Sequence, residues 1–411
     1  MRFHHACIES IATALPDEKW TSAAIEERLK PLYDRLKAQG AVFGARGGWE
    51  RAMWFARSGD DAVSQPTYRK HPFFDAVAGE CRAVRDACGI LDLTGFSRFE
   101  LSGAGAAAWL DTMICGRLPK VGRTTLAYFC SAKGSVVTEM TVTRFAENRF
   151  WLITAAAAEW HDRDWLVRHL PDDGVLRLDN ITTRFGTLVL AGPASRALLA
   201  PLADTPLDNA AFPWLAAREI EIGPARAVAL RVNYVGELGW ELHVPIEAMR
   251  AVHELILAAG AAHGLRPFGM LAMDSMRLEK AYRGWKTELT TELTPLEIGL
   301  ERFVAMDKPD FIGKAALLAH VPRHGFAQLH VEAGGPDAPY GSPVWVAGAV
   351  AGYVTSAGFG HRTGKALALA CLRREAVVPG ASVEIETLGE RRQATIMAEM
   401  AYDPGNARLR A

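Results

Sequence analysis

Residues 231–245 read RVNYVGELGWELHVP, and this stretch restricts the fold more than any other. Val228, Leu230, Val232 and Tyr234 alternate with other residues ahead of Gly236 and Gly239. Trp240, Leu242 and Val244 alternate after them. Period-two patterning on both sides of a glycine-containing turn predicts a β-hairpin. The turn gathers Tyr234, Glu237 and Glu241. A carboxylate beside an aromatic ring suits a flat ligand with paired N–H donors. A solvated hairpin tip would need no ligand, and this stretch by itself leaves both readings open.

Around the hairpin, strands and helices mix without strict βα alternation, which predicts an α+β class. The spacing predicts a helix over 22–37, with Ile25, Leu29, Leu32 and Leu36 on one face and Gly40 as its stop. The aromatic segment 48–55 reads as a strap packed on the main body. A globular pattern starts near Pro72. Helices are expected over 73–88, 104–113 and 155–169, with strands near 98–102, 125–130, 136–144 and 149–154. A second pass has strands at 185–190, 218–222 and 227–234, then helices over 193–199, 246–263 and 268–282. After about Val321, short apolar runs between Gly and Pro turns predict a small all-β domain of barrel or sandwich type.

At 411 residues the chain is long enough for two or three domains. Its formal charge of −1 gives no footprint for nucleic acid and no reason to invoke a membrane surface. The six cysteines form no CxxC pair and read as scattered reduced thiols. No signal-peptide core opens the chain, and no apolar run approaches membrane-spanning length, so a cytoplasmic protein is expected. P-loop, GxSxG and HExxH motifs are absent, and Gly103-Ala104-Gly105 is only a partial imitation of a dinucleotide loop. His161, Asp162 and Asp164 read as a solvated helix face rather than a metal cluster.

Several ordered motifs together resemble one family. The run YVGELGWELHVP is similar to the Y-x-G-E-x-G-x-E hairpin of the glycine-cleavage T-protein (aminomethyltransferase) family. DSMRLEKAYRGW, TPLEIGLERFVAMDKPDFIGKAAL and GYVTSAGFGHRTGKALALA resemble that family's later landmarks. GWERAMWFA, ECRAVRDACGILDLTGFSRFELSG and GRLPKVGR look like the folate-binding half of dimethylglycine and sarcosine dehydrogenases. The resemblance runs from about Pro31 to Tyr402. It implies ferredoxin-like α/β halves that bind tetrahydrofolate, followed by a C-terminal β-barrel. The boundaries it suggests are an extension over 1–70, the folate-binding region over 71–320 and the barrel over 321–411. It implies transfer of a one-carbon unit from a small methylated donor to folate N5. Tyr234, Glu241 and Tyr282 fall on the family's folate-contact positions. Glu241 would accept from the pterin edge, with Tyr234 and Tyr282 around the ring and linker. Glu237 is left a turn-supporting role. Arg277 and Glu279 suit a scaffold ion pair at least as well as a ligand contact.

The chain also departs from the pattern. Arg117 stands where T-proteins carry an aspartate, Ser131 where an asparagine is expected, and Met273 where an arginine is expected. Ser131 and Met273 therefore remain candidate folate-site positions with altered chemistry. A guanidinium stays protonated, so Arg117 cannot act as a base. It could bind an anion, such as the folate glutamyl tail or a carboxylated substrate, or be a surface residue. No dinucleotide-binding segment precedes Pro31, so an oxidised donor would come from a separate flavoprotein subunit. The other route is direct demethylation of a sulfonium or methoxy donor. The K-G-C-Y-x-G-Q-E signature of iron–sulfur assembly paralogues is missing from 279–285, which argues against that role.

Overall fold

The computed structural model describes residues 31–46, 49–60 and 71–411. Strands β1 (Ala41–Arg46) and β2 (Trp49–Phe55) form a hairpin. Strands β3 (Cys88–Asp92) and β4 (Ser97–Ser102) follow, then β5 (Arg123–Cys130), β6 (Val136–Ala146), β7 (Arg149–Thr154) and β8 (Arg177–Asn180). After them come β9 (Phe185–Ala191), β10 (Ala217–Ile222), β11 (Ala225–Leu230), β12 (Gly239–Pro245) and β13 (Leu265–Pro267). One six-stranded sheet has the order β10-β11-β12-β9-β3-β13, and a five-stranded sheet has the order β5-β6-β7-β4-β8. β14 (His324–Val331), β15 (Pro343–Val346), β16 (Ala349–Gly360), β17 (Lys365–Arg373), β18 (Ser382–Thr387) and β19 (Glu390–Ile396) close into a barrel. The α+β class and the C-terminal β-barrel are both present.

Each sheet buries one face under helices. Leu188, Leu190, Trp240, Leu242 and Val244 pack against Met249, Val252 and Ile256 of the Met249–Gly260 helix. Their spacing alternates along the strands and repeats at three and four along the helix, so one apolar face meets another. Trp240 is fully buried, and replacing it with alanine is expected to cost about 3–5 kcal/mol in denaturant unfolding. On the five-stranded sheet, Met140, Val142, Phe150 and Leu152 pack against Leu110 and Leu166 from two helices. The uncovered faces turn toward each other. Trp151 and Ile153 of β7 meet Val228 and Leu230 of β11 in one cluster. That contact sets the open face of one sheet against the open face of the other.

The Met270–Glu279 helix joins this body to the barrel. Ser275 donates to the Phe359 carbonyl at 2.7 Å, and Gln328 donates to the Leu278 carbonyl at 2.7 Å. The aromatic strap packs on the main body as expected, and Trp54 of β2 is in the core beside Met273 and Met276. Leu32 and Leu36 also reach a core, so chain assigned to the extension contributes to the domain from Leu32 onward.

The first helix is described only over Tyr33–Ala38, and the part expected over 22–30 lies outside the described residues. Three expectations need correction. The helix expected over 268–282 spans Met270–Glu279, because Ala281 has a φ of 52° that a helix cannot continue. Asp162 is not solvated. It is fully buried and accepts hydrogen bonds from Thr138 and Thr154. The hairpin strand expected to reach Tyr234 ends at Leu230, and residues 231–238 form a loop.

The loop has a local cause. Arg231 is buried with its guanidinium on the Phe212 carbonyl at 2.6 Å, and its backbone bonds Ala216 and Leu215 instead of the next strand. The Asn233 side chain then accepts from the Val235 and Gly236 amides and donates to the Glu237 carbonyl. An Asn side chain that substitutes for backbone partners stabilises a turn against a strand. Gly236 has a φ of 78°, and a Cβ there would lie 2.6 Å from the Lys280 side chain.

Candidate functional site

The inter-sheet space is lined from both sides. On the six-stranded sheet, Leu230 pairs with Glu241, Glu241 with Val189, and Val189 with Leu91. Residues in register across a sheet project to one face, so Glu241 shares the face of Val189 and Leu91. Val189 and Leu91 belong to the cluster that includes Met273 and takes Tyr234 and Phe96 at its edge. Glu241, Tyr234 and Met273 therefore address the same side of the sheet.

The five-stranded sheet contributes Tyr128 and Glu139, which are direct cross-strand partners. Met140 and Val142 point to the helix-covered face, so Glu139 points the opposite way, into the inter-sheet space. Tyr128 and Glu139 stand directly across the β5–β6 pair, and Arg283 is close enough to act on both. Burial pushes the Glu139 carboxyl up to about 7, against the opposing pull of the Tyr128 hydroxyl and Arg283. Burial likewise raises Tyr128.

Glu241 behaves in parallel. Its side chain is 13 % exposed, so water reaches the carboxyl while protein atoms crowd it. Burial pushes it up to about 7, and the Arg98 guanidinium offsets only part of that rise. Arg98 is fully buried and donates to His243 Nδ1 at 3.0 Å, to the Phe185 carbonyl at 3.0 Å and to the Thr187 hydroxyl. Burial, and then Arg98, hold His243 well below its ordinary range, so it is neutral. Because Nδ1 accepts from Arg98, the His243 proton is assigned to Nε2. That nitrogen stands 3.7 Å from a Glu241 oxygen.

Tyr234 and Tyr282 come together. Their rings stack 5.7 Å apart at an interplanar angle of 29°. The Tyr234 hydroxyl donates to the Arg283 carbonyl, and burial pushes its pKa up, so the phenol stays protonated. Tyr282 is pushed up to about 12 by burial. Met273 is buried and presents only apolar surface.

The other two predicted positions are placed elsewhere. The Ser131 hydroxyl lies in the β5–β6 turn, 2.9 Å from the Ser135 hydroxyl, and accepts from the Lys133 amide. Arg117 is 64 % exposed and pairs with Asp307 on the surface. Glu139 joins Glu241 as a second acid facing the region between the sheets, although Arg117 is basic.

Glu237 is more than a turn support. It is buried, accepts from Arg85 at 3.0 Å and from the Tyr402 hydroxyl, and its carboxyl is raised by burial. Arg85 also pairs with Glu279 at 2.9 Å and lies 3.9 Å from the centre of the Tyr402 ring. Arg277 pairs with Asp274 at 2.8 Å and with Glu288 at 3.2 Å. Arg277 and Glu279 thus act as scaffold.

Sequence reading missed Glu139, Tyr128, Arg98 and His243. Alternation along VVTEMTVT places Glu139 on the face opposite Met140, and that pattern was the available signal. Which face was inner could not be read from it. Among the described residues, no His, Cys, Asp and Glu group is placed to hold a metal ion, and no helix is long and apolar enough to cross a membrane.

Two sheets packed through a polar space and capped by a barrel define the aminomethyltransferase fold. The glycine cleavage system aminomethyltransferase T from Bartonella henselae superposes with a TM-score of 0.78. It covers 92 % of this chain and 99 % of its own, at 24 % identity. The chain belongs to the glycine-cleavage T-protein family: the GCVT N-terminal domain matches residues 32–308 and the glycine cleavage T-protein C-terminal barrel domain matches residues 325–403. Mitochondrial dimethylglycine dehydrogenase of Mus musculus is 34 % identical over 96 % of this chain and 46 % of its own length. Sarcosine oxidase subunit alpha of Rhizobium meliloti (strain 1021) is 30 % identical over 93 % of this chain and 40 % of its own. The chain spans about half the length of these curated relatives or less.

Proposed function

We propose that this chain is a tetrahydrofolate-dependent one-carbon transferase or demethylase, acting on a small methylated donor. The observation that carries the reading is Glu241, a crowded but water-accessible carboxyl on the same side of its sheet as Tyr234. A pterin edge offers adjacent N–H donors, and an ionised carboxylate accepts from two at once. Glu241 is held near neutrality, so a ligand donating to it readily favours the ionised form. The stacked Tyr234 and Tyr282 rings supply flat apolar surface at the same site. The residues present therefore fit the group.

Tetrahydrofolate, when bound, supplies the nucleophilic nitrogen that receives the one-carbon unit. Glu241 holds and orients the ring edge, while Tyr234 and Tyr282 exclude water from one side. Glu139, across the strand pair from Tyr128, is pushed by burial up to about 7, which suits a group that takes up and releases a proton at neutral pH. Ser131 and Met273 remain at the margin of the reading, and Arg117 suits an anion arriving from the surface. Calorimetry with tetrahydrofolate tests the reading. Micromolar binding is expected, and undetectable binding sinks it.

A second reading is a folate-binding subunit that partners a separate FAD amine dehydrogenase. The relationship to a subunit of sarcosine oxidase supports it. Product formation from a methylated amine only when such a flavoprotein is added would favour it over direct demethylation.

A further inference from the structure

The chain that leaves β19 crosses from the barrel back to the loop 231–238. Gln328 of the barrel accepts from the Ala401 amide at 2.9 Å, and the Tyr402 amide donates to the Glu279 carbonyl at 3.1 Å. Asp403 has a φ of 44° and Asn406 a φ of 56°, so the backbone turns twice through the left-handed region. The Asp403 carboxylate accepts from the Ala407 amide at 2.8 Å and the Arg408 amide at 3.1 Å, which fixes the short Ala407–Arg410 helix. Leu409 is buried beneath it.

This segment grips the loop at its start, middle and end. At the start, the Arg231 guanidinium donates to the Ala411 oxygen at 2.6 Å, and Arg196 donates to the same oxygen at 2.9 Å. In the middle, Gly236 leaves room for the Lys280 side chain, whose ammonium donates to the Asp403 carbonyl at 2.7 Å and to Asn406 Oδ1 at 2.8 Å. At the end, the Tyr402 hydroxyl donates to Glu237 at 2.5 Å. The Tyr402 ring also covers the Arg85 guanidinium, which donates to the Val235 carbonyl at 2.7 Å. Arg231, Lys280 and Arg85 are each 1 % exposed, and charge-assisted bonds away from water are the strong ones. A stretch outside the sheet ladder costs conformational entropy to hold in one arrangement, and these bonds offset that cost. The loop carries Tyr234, whose ring stacks on Tyr282 two residues beyond Lys280.

We infer that residues 402–411 form a positioning latch. Docked on Arg231, Lys280 and Glu237, they hold Tyr234 against Tyr282 in the arrangement that receives a flat ring. Tyr402 and Lys280 are positioning residues that act through the loop rather than on the ligand. By linkage, a ligand that favours the stacked arrangement tightens the latch as much as the latch tightens the ligand. The hold on the loop follows from the geometry, while its use for a pterin ring rests on the proposed one-carbon reading.

The test is amide hydrogen exchange of the full chain, read on 231–238 and, as a control, on β7. Deleting 405–411 removes the Asn406 and Ala411 contacts. Tyr402→Phe keeps the ring over Arg85 and loses only the bond to Glu237. Without ligand, exchange at 231–238 is expected to speed up by at least about tenfold in the deletion and by about fivefold in Tyr402→Phe, with β7 unchanged. Tetrahydrofolate is expected to bind the deletion about tenfold more weakly, and to slow exchange at 402–408 in the wild type. Unchanged exchange at 231–238 overturns the latch. Equal acceleration of β7 also overturns it, because that marks a general loss of stability. Unchanged tetrahydrofolate affinity in both variants overturns the positioning role. Should the deletion fail to fold, Tyr402→Phe decides by the same readings. Absent tetrahydrofolate binding by the wild type overturns the one-carbon reading, while exchange at 231–238 still decides the latch.

Discussion

Two clusters of buried carboxylates in this molecule are built in opposite ways. At Arg85, Glu237 and Glu279 meet a guanidinium directly, and all three side chains are at most 1 % exposed. In the inter-sheet space, no ion pair within 4 Å joins Glu241 or Glu139 to Arg98 or Arg283, and each carboxyl is pushed up to about 7. The first cluster ties both of its acids to one fixed guanidinium. The second leaves them to be neutralised by a proton, which a ligand can displace. A carboxylate already satisfied by the protein belongs to the scaffold, and one left short of partners is free to recognise something else.

The largest effect should come from breaking the satisfied cluster. Arg85→Leu strands Glu237 and Glu279 without their partner and removes the cation from the Tyr402 ring. Equilibrium urea unfolding should show a loss of about 3–5 kcal/mol. Glu241→Ala should do the reverse in kind. Stability should change by less than about 1 kcal/mol, while tetrahydrofolate affinity falls by roughly 1.5–3 kcal/mol, the size of a charge-assisted hydrogen bond. A large stability loss with unchanged affinity would place Glu241 in the scaffold.

The pH dependence sharpens the same contrast. A carboxyl held near 7 in the folded state and near 4.3 when unfolded binds more protons folded than unfolded across that window. Its contribution is present at low pH and declines as pH rises from about 4.5 through 7. Glu80, Glu139 and Glu241 all share this direction. Melting temperature should therefore fall as pH is raised from 5.5 to 8 (about the span of those titrations), and Glu139→Gln should flatten the slope. A slope of opposite sign would contradict the assignment. The smallest effect belongs to the surface pair. Arg117→Ala should change stability by less than about 0.5 kcal/mol, since both partners are exposed.

How much of this was legible depended on where each signal is stored. The barrel and the alternating strands were readable because their periodicity is local. Tyr234, Tyr282 and Glu241 stand out in the sequence because they sit in ordered motifs. The pairing of Tyr128 with Glu139 was hidden, because it joins two strands and its meaning depends on which face meets the other sheet. Asp162 looked solvated from its charged neighbours, yet two threonine hydroxyls on separate strands bury it. Val232 and Tyr234 continue the alternation, which extends the strand pattern in the sequence past Leu230. Arg231 and Asn233 find partners outside the ladder, and those partners decide the loop.

The most direct test of the account is the proton balance of tetrahydrofolate binding. Calorimetry at pH 6, in buffers of different ionisation enthalpy, counts protons released on binding. The account predicts release of about one proton by the wild type, because Glu241 must ionise to accept the ring edge, and release of markedly less by Glu241→Ala. Equal proton release and equal affinity in the two proteins would contradict it.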